Sequence, residues 1–270
     1  MQQRLIWLAM SIAPVVPAFG SPIVNLGNAS TFGMLGGTIS NTGASTVVGN
    51  VGATTTITGF PPGTATGTVY PFPSNPAVTL AYNDFISAYN LALLDPSTQS
   101  FSGMTTSQTF LGNNVYTSPL TDVVSTAGIN LTFDAQADST EVFMIRITRD
   151  LTINGPITFT LENGAKATNI FWIIGRTETI NPVGVPVTWD GDILAGTSFT
   201  MSSIGPSSAL AGAINGCVFA ETANTLAGFT QVGGCSATGG VVPEPGASEL
   251  MGLGLLALVA WRKFRSLVSP

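Results

Sequence analysis

Hydrophobic and polar positions alternate with a period of two along most of this chain. In PITFTL, residues 156–161, Ile157, Phe159 and Leu161 fall on one side of an extended backbone, and Thr158 and Thr160 on the other. Comparable pieces follow one another from Thr105 to Val232, among them INLTF, VFMIRIT, NIFWIIG, ILAG, SFTMSS and CVFA, separated by Gly, Asn, Asp or Pro turns. Short extended pieces such as STVVGNVG and TTTITGF also fill the stretch from Asn25 to about Tyr70. One segment departs from this rule. Val78, Ala81, Phe85, Ala88 or Tyr89, and Ala92 recur at helical spacing, Asn75 can cap, Pro76 suits the first helical position, and Asp95-Pro96 ends the run. The pattern predicts a mostly β protein with one long α-helix over about residues 76–94.

Many short strands fit a sandwich, a barrel or a β-solenoid. Pieces of three to six residues with small residues at the corners favour the solenoid. A helix from Pro76 to Leu94 would be about 28 Å long at ~1.5 Å per residue, and stacked strands repeat every ~4.8 Å, so it would run alongside about six coils. The run Phe171-Trp172-Ile173-Ile174 is too continuously apolar to face water on either side and is expected to cross the middle of the core.

The two ends follow a different grammar. Residues 1–20 carry a single positive charge at Arg4, an apolar run from Leu5 to Val16, and small residues at Ala18 and Gly20, the pattern of a signal peptide cleaved after Gly20. Residues 243–270 begin with Pro243-Glu244-Pro245, continue with an apolar run from Leu250 to Trp261 and finish on Arg262, Lys263 and Arg265. This order resembles the PEP-CTERM sorting signal of Gram-negative bacteria. The resemblance implies a transmembrane helix that anchors the chain transiently, processing by an exosortase-type enzyme, and delivery to the cell surface or extracellular matrix. The domain between the ends is expected to span residues 21–242.

Composition narrows the function. The chain is 44% hydrophobic but only 8% charged, so Thr, Ser, Asn, Gly and Ala must cover most of its surface. Residues 21–242 hold four basic side chains (Arg146, Arg149, Lys166, Arg176) against twelve acidic ones, a net charge of 4 − 12 = −8. Without a basic patch to neutralise phosphates, nucleic-acid binding is excluded as a reading. There is no histidine and there are only two cysteines, so no metal site is expected and none is assigned. Cys217 and Cys235 can form a disulfide in an oxidising compartment, or Cys217 can remain a buried thiol in the strand-like GCVFA. Asp190 and Asp192 in TWDGDI were the candidate carboxylate pair or calcium site; with no second convergent group they read as solvated loop residues, so neither catalysis nor a cofactor is expected. Arg146 and Arg149 read as partners of Glu141 or Asp150 on an exposed edge.

The blocks STFGMLGGTISNTGASTVVGNVG, ITGFPPGTATG, AYNDFISAYN, LTFDAQADSTEVFMIRI, NGAKATNIFWIIG, GDILAGTSFTM and AINGCVFAETANTL together resemble the ice-binding-like family of secreted antifreeze proteins. That resemblance implies a right-handed, discontinuous β-solenoid of triangular cross-section with a helix packed alongside, the N-terminal strands and the later coils completing one stack. It implies adsorption to ice through a flat face of short threonine motifs, commonly Thr-Ala/Gly-x-Thr/Asn, by a monomer without cofactor. TANT, residues 222–225, fits the motif in full, and TSFT, residues 197–200, has Ser in place of Ala or Gly. Thr222 and Thr225 are therefore the first candidates and Thr197 and Thr200 the next, with Thr158 and Thr160 added on alternation alone. Outward threonines also recur at 132, 152, 177 and 179, but no regular ladder over successive coils is visible in the sequence. Set against this reading is a matrix adhesin or scaffold that binds extracellular polysaccharide through the same neutral face.

Overall fold

The computed structural model describes residues 24–70, 75–101, 103–118, 122–125, 128–182, 184, 186–202 and 210–235. A 3-10 turn at Gly27–Thr31 leads into β1 (Phe32–Asn41), β2 (Thr46–Val47), β3 (Asn50–Thr58), β4 (Thr64–Ala65), β5 (Val69–Tyr70) and the helix α1 (Pro76–Leu94). After β6 (Gln99–Ser100) and β7 (Gln108–Leu111) the chain proceeds in threes. These are β8 (Asn114–Ser118), β9 (Asp122–Ser125) and β10 (Ile129–Asp134), then β11 (Phe143–Ile147), β12 (Asp150–Ile153) and β13 (Ile157–Glu162). The next are β14 (Ile170–Ile174), β15 (Thr177–Ile180) and β16 (Val187–Asp190), then β17 (Asp192–Ala195), β18 (Ser198–Met201) and β19 (Leu210–Asn215), before β20 (Val218–Leu226) and β21 (Phe229–Val232).

Members of successive threes pair in parallel. β8, β11, β14, β17 and the first half of β20 form one ladder, and β9, β12, β15, β18 and the second half of β20 form another. Because β1, β3 and β20 run through a corner and belong to both ladders, the two join in one 13-stranded sheet. The third members make a 3-stranded sheet, β13-β10-β7, and a 5-stranded one, β16-β19-β21-β2-β4. The chain is discontinuous in the stack. β1 pairs with β20, nearly 200 residues later, and β3 follows β1, so the first strands made extend the ladders that the last strands end.

The first ladder is buried on both sides, which explains its unbroken apolar runs. Phe143, Ile145, Ile147, Ile170, Trp172 and Ile174 point into a core that also holds Phe110, Phe133 and Trp189. Met144, Phe171, Ile173, Leu194 and Phe219 point the other way, against Val78, Ala81, Phe85, Ala88 and Ala92 of α1. The run 171–174 thus meets water on neither side: Trp172 and Ile174 enter the core, and Phe171 and Ile173 face the helix. The Asn75 side chain caps α1 by accepting from Ala77 N at 2.9 Å. Val78 lies against Gly52 of β3, and at the far end the Ala92 carbonyl meets Arg146 of β11, so the helix runs along β3, β1, β20, β17, β14 and β11.

Two expectations from the sequence are corrected here. Arg146 does not pair on an exposed edge. It is 9% exposed, and its guanidinium donates to the helix-terminal carbonyls of Ala92, Leu93 and Asp95 at 3.2, 2.8 and 2.9 Å, neutralising the negative end of α1. The expected transmembrane helix and membrane anchoring are not supported either: among the described residues no helix is long and apolar enough to cross a membrane. α1 has the length, but it carries Asn83, Asp84, Ser87 and Asn90 and packs on the sheet. The signal-peptide reading of residues 1–20 and the sorting reading of Pro243, Glu244 and Pro245 lie outside the described residues.

Candidate functional site

The second ladder presents an outward face built from four-residue units, one per strand. On β15, β18 and β20, residues 177, 198 and 223 are in register, and so are 179, 200 and 225. β12 extends the rows with Thr152 opposite Thr179, while β1 and β3 extend them with Thr38 and Ser40, then Thr56 and Thr58. One row therefore reads Thr152, Thr179, Thr200, Thr225, Ser40, Thr58, and its neighbour Asp150, Thr177, Ser198, Ala223, Thr38, Thr56. Rows two residues apart lie about 6.7 Å from each other and adjacent strands about 4.8 Å, which sets the hydroxyls and methyls on a two-dimensional lattice. Restricted χ1 at β-branched residues keeps that lattice stiff. Register thus sets side by side hydroxyl residues that lie scattered along the sequence, with Ala223 and Asp150 among them.

Residues between the rows point inward and hold the face down. Leu151, Phe199 and Ile39 are buried apolar side chains, Glu178 is buried among them, and Asn224, also buried, donates to Leu35 O at 2.8 Å. A third row stands at the corner, where Arg176 N donates to Arg149 O, Thr197 N to Arg176 O, and Thr222 N to Thr197 O at 2.7 Å. At this corner β1 passes with one residue, Gly37, against two in each neighbour. A Cβ on Gly37 would sit 2.5 Å from Thr222 O, so only glycine permits the close approach that keeps β1 in line.

Among the described residues, no hydrogen bond to protein engages the hydroxyls of Thr152, Thr179, Thr200 or Thr225. They are free to meet water or a surface. Charge is confined to one end of the face, where Arg176 forms an ion pair with Asp150. Burial pushes the Asp150 carboxyl up, but hydrogen bonds from Arg176 and Thr177 outweigh it and hold it below its ordinary value. From β18 through β20 and β1 to β3 the two rows are uncharged. Glu221 lies on the helix side, where burial first and its charge second raise Tyr89 to about 12.

Four of the six candidate threonines, 197, 200, 222 and 225, come together on this face, with Thr197 and Thr222 in the corner row. Thr158 and Thr160 do not. They stand on β13 in the 3-stranded sheet, where the Thr158 hydroxyl donates to Ile129 O at 3.2 Å and that of Thr160 to Asn130 Oδ1 at 3.0 Å, in register next to Asp134 and Glu162. Thr38, Ser40, Thr56 and Thr58 were missed. Their signal was present in Gly-Thr-Ile-Ser (37–40) and Thr-Thr-Ile-Thr (55–58), which repeat the spacing of TANT.

Asp190 and Asp192 are buried, not solvated. The first accepts from Asn215 Nδ2 at 2.7 Å and the second from Cys217 N at 2.9 Å, so both serve the corner between β16 and β17. Cys217 and Cys235 are joined in a disulfide, which ties the segment after β21 to the start of β20 and takes both sulfurs out of any metal chemistry.

Comparison with known proteins places the fold and the family. A curated ice-binding protein from Nostoc sp. (strain HG1) is 34% identical over 254 residues, covering 91% of this chain and 89% of the relative. An ice-binding protein from Flavobacterium frigoris (strain PS1) is 30% identical over 116 residues, 43% of this chain and 38% of its own. The crystal structure of an ice-binding protein from the Antarctic ascomycete Antarctomyces psychrotrophicus superposes with a TM-score of 0.66 at 29% identity, over 80% of this chain and 99% of that one. The sequence profile of the family described as Ice-binding-like matches residues 34–232, which hold every row of the hydroxyl face, and the chain belongs to that family.

Proposed function

We propose that the protein adsorbs to ice through the hydroxyl face of β15, β18, β20, β1 and β3. The observation that carries this reading is the register of Thr179, Thr200, Thr225, Ser40 and Thr58 on neighbouring parallel strands without an intervening charge. Methyl groups give such a face apolar contact and hydroxyls give it hydrogen bonds, at a fixed spacing. Because the rows are rigid before contact, adsorption orders few side chains. Charged side chains would hold water in their own geometry, and the central strands lack them. The relatives' names as ice-binding proteins support the same reading. The protein is not an enzyme, in keeping with its family.

The finer architecture is part of the proposal. We infer a right-handed winding and a triangular section, with about six coils along the helix, supported by parallel pairing throughout and by the strands that α1 spans. Residues 21–242 form the domain in this reading, since the strands run from Phe32 to Val232. The disulfide supports secretion to an oxidising compartment. The polysaccharide reading has less behind it: among the described residues no aromatic ring is exposed as a stacking platform for sugars.

Thermal hysteresis of Thr200→Tyr tests the proposal, with Thr160→Tyr on the other sheet as its control. Loss of hysteresis in the first variant and retention in the second is the expected result. Full activity of a folded Thr200→Tyr protein would overturn the assignment.

A further inference from the structure

On the helix side of the first ladder a carboxylate and two sulfurs share one small volume. Asp192 of β17 stands in register with Phe171 of β14, and on its other side its Oδ1 accepts from the backbone N–H of Cys217, the residue before β20, at 2.9 Å. Ile193 N donates to Cys217 O at 2.9 Å, so the ladder fixes the two residues against each other. Cys235, three residues after the end of β21, reaches the same place through the disulfide. One carboxylate oxygen of Asp192 and the two Sγ atoms all lie within 4.8 Å of one another. Asp192 and Cys217 are fully buried, Cys235 only in part. The surroundings are apolar: Cys217 belongs to the cluster that holds Phe171, Leu194 and Phe219, and Cys235 packs against it. A carboxylate in such an interior is costly unless donors or a cation meet it.

While the bridge is closed the sulfurs are not ligands. A dithiol reductant opens it: the two sulfurs take up two electrons and two protons, and the dithiol closes into its own disulfide. We propose that the reduced chain binds one zinc-type divalent cation at Cys217 Sγ, Cys235 Sγ and an Asp192 carboxylate oxygen, so that disulfide and metal are alternative clasps on the same two cysteines. In binding, two metal-sulfur bonds and one metal-oxygen bond form, and both S–H protons leave to solvent. Ligands on a tetrahedral zinc, at ~2.3 Å for sulfur and ~2.0–2.2 Å for oxygen, stand about 3.5–3.8 Å apart, so the three atoms need only small movements to meet one ion. Two thiolates select zinc or cadmium over calcium and magnesium, which take oxygen ligands. The bond from Cys217 N already orients the carboxylate. After reduction the carbonyls of Phe32 and Ala29, 3.2 and 3.9 Å from Cys235 Sγ, can accept from its S–H and keep it beside Cys217. Where thiols stay reduced, the metal then ties the segment after β21 to the start of β20, as the bridge does in an oxidising compartment. The site lies apart from the hydroxyl rows, and it stands or falls independently of adsorption to ice.

The test titrates the full chain, reduced by a phosphine because dithiols compete for the metal, with Co2+ as a spectroscopic stand-in and then with Zn2+. One equivalent of Co2+ should give thiolate-to-cobalt charge transfer in the near ultraviolet and the visible bands of a tetrahedral site, and Zn2+ should bleach both. The unreduced chain should give neither. Asp192→Asn, which keeps an acceptor for Cys217 N, should retain the charge-transfer band but bind Co2+ at least about tenfold more weakly. Cys235→Ser, at a partly exposed position outside the strands, should lose the band. Thermal unfolding gives a readout that needs no variant to fold: Zn2+ should raise the midpoint of the reduced parent and leave that of the oxidised parent where it was. No charge-transfer band in the reduced chain, a band that survives Cys235→Ser, Co2+ affinity unchanged in Asp192→Asn, or a midpoint that Zn2+ shifts equally in both redox states would each overturn the proposal.

Discussion

Replacing Glu178 by Gln should change how stability depends on pH. Glu178 points inward beneath the hydroxyl face, between Leu151 and Phe199 in register, with Thr177 and Thr179 on either side of it in sequence. It is 0% exposed and neither carboxyl oxygen has a hydrogen-bond partner. Burial alone raises its pKa well above the ordinary 4.5, so the folded protein keeps it neutral. The unfolded chain releases that proton at the ordinary value. Above it the native state binds one more proton than the unfolded state, and stability falls by about 1.4 kcal/mol per pH unit until the folded pKa is reached. The stabilising contribution is therefore complete in acid and lost as pH rises. Urea unfolding at several pH values above the ordinary carboxylate range should show the Glu178→Gln variant gaining on the parent as pH rises, with a slope of at most about 1.4 kcal/mol per unit that ends where the folded carboxyl titrates. Other groups, such as Glu141, titrate equally in both proteins and cancel in the difference. Parallel profiles would show that Glu178 is hydrated or paired in solution and refute the reasoning.

Arg146→Met should lower stability by about 3 kcal/mol, since three helix-terminal carbonyls lose a buried cationic donor, while hysteresis per folded molecule is unchanged; thermal unfolding reads the first and ice growth the second. Cys217→Ala with Cys235→Ala opens a loop of sequence separation 18 and should cost about 3 kcal/mol, seen as an earlier denaturant midpoint that reductant does not shift further.

Local pattern carried much of this protein and failed at identifiable places. The helix was legible to the residue, because Asn75, Pro76 and Asp95-Pro96 mark its ends chemically. Strand positions were legible from alternation, yet alternation says only that a residue faces outward and not on which sheet. Thr160 and Thr200 look alike in sequence, and only the order of strands separates them. The hydroxyl ladder was hidden for a second reason. Glu178 and Asn224 occupy inward positions where an apolar residue is expected, and Ser40, Ser198 and Ala223 interrupt the run of threonines. Half of the face lies across the break in the chain, since Thr38 meets Ala223 and Ser40 meets Thr225, and no local period reports such a contact. Arg146 was misplaced because a lone arginine in a strand resembles a surface residue until a helix terminus is found above it.

The pairing of β1 with β20 sets an order of events during synthesis. The amino-terminal strands leave the ribosome first and can pair only with one another until the carboxyl-terminal ones emerge, so their docking on the stack waits for translation to reach Leu226. A nascent chain halted earlier would stack its middle coils and leave a threonine-rich amino-terminal segment without the strand that receives it.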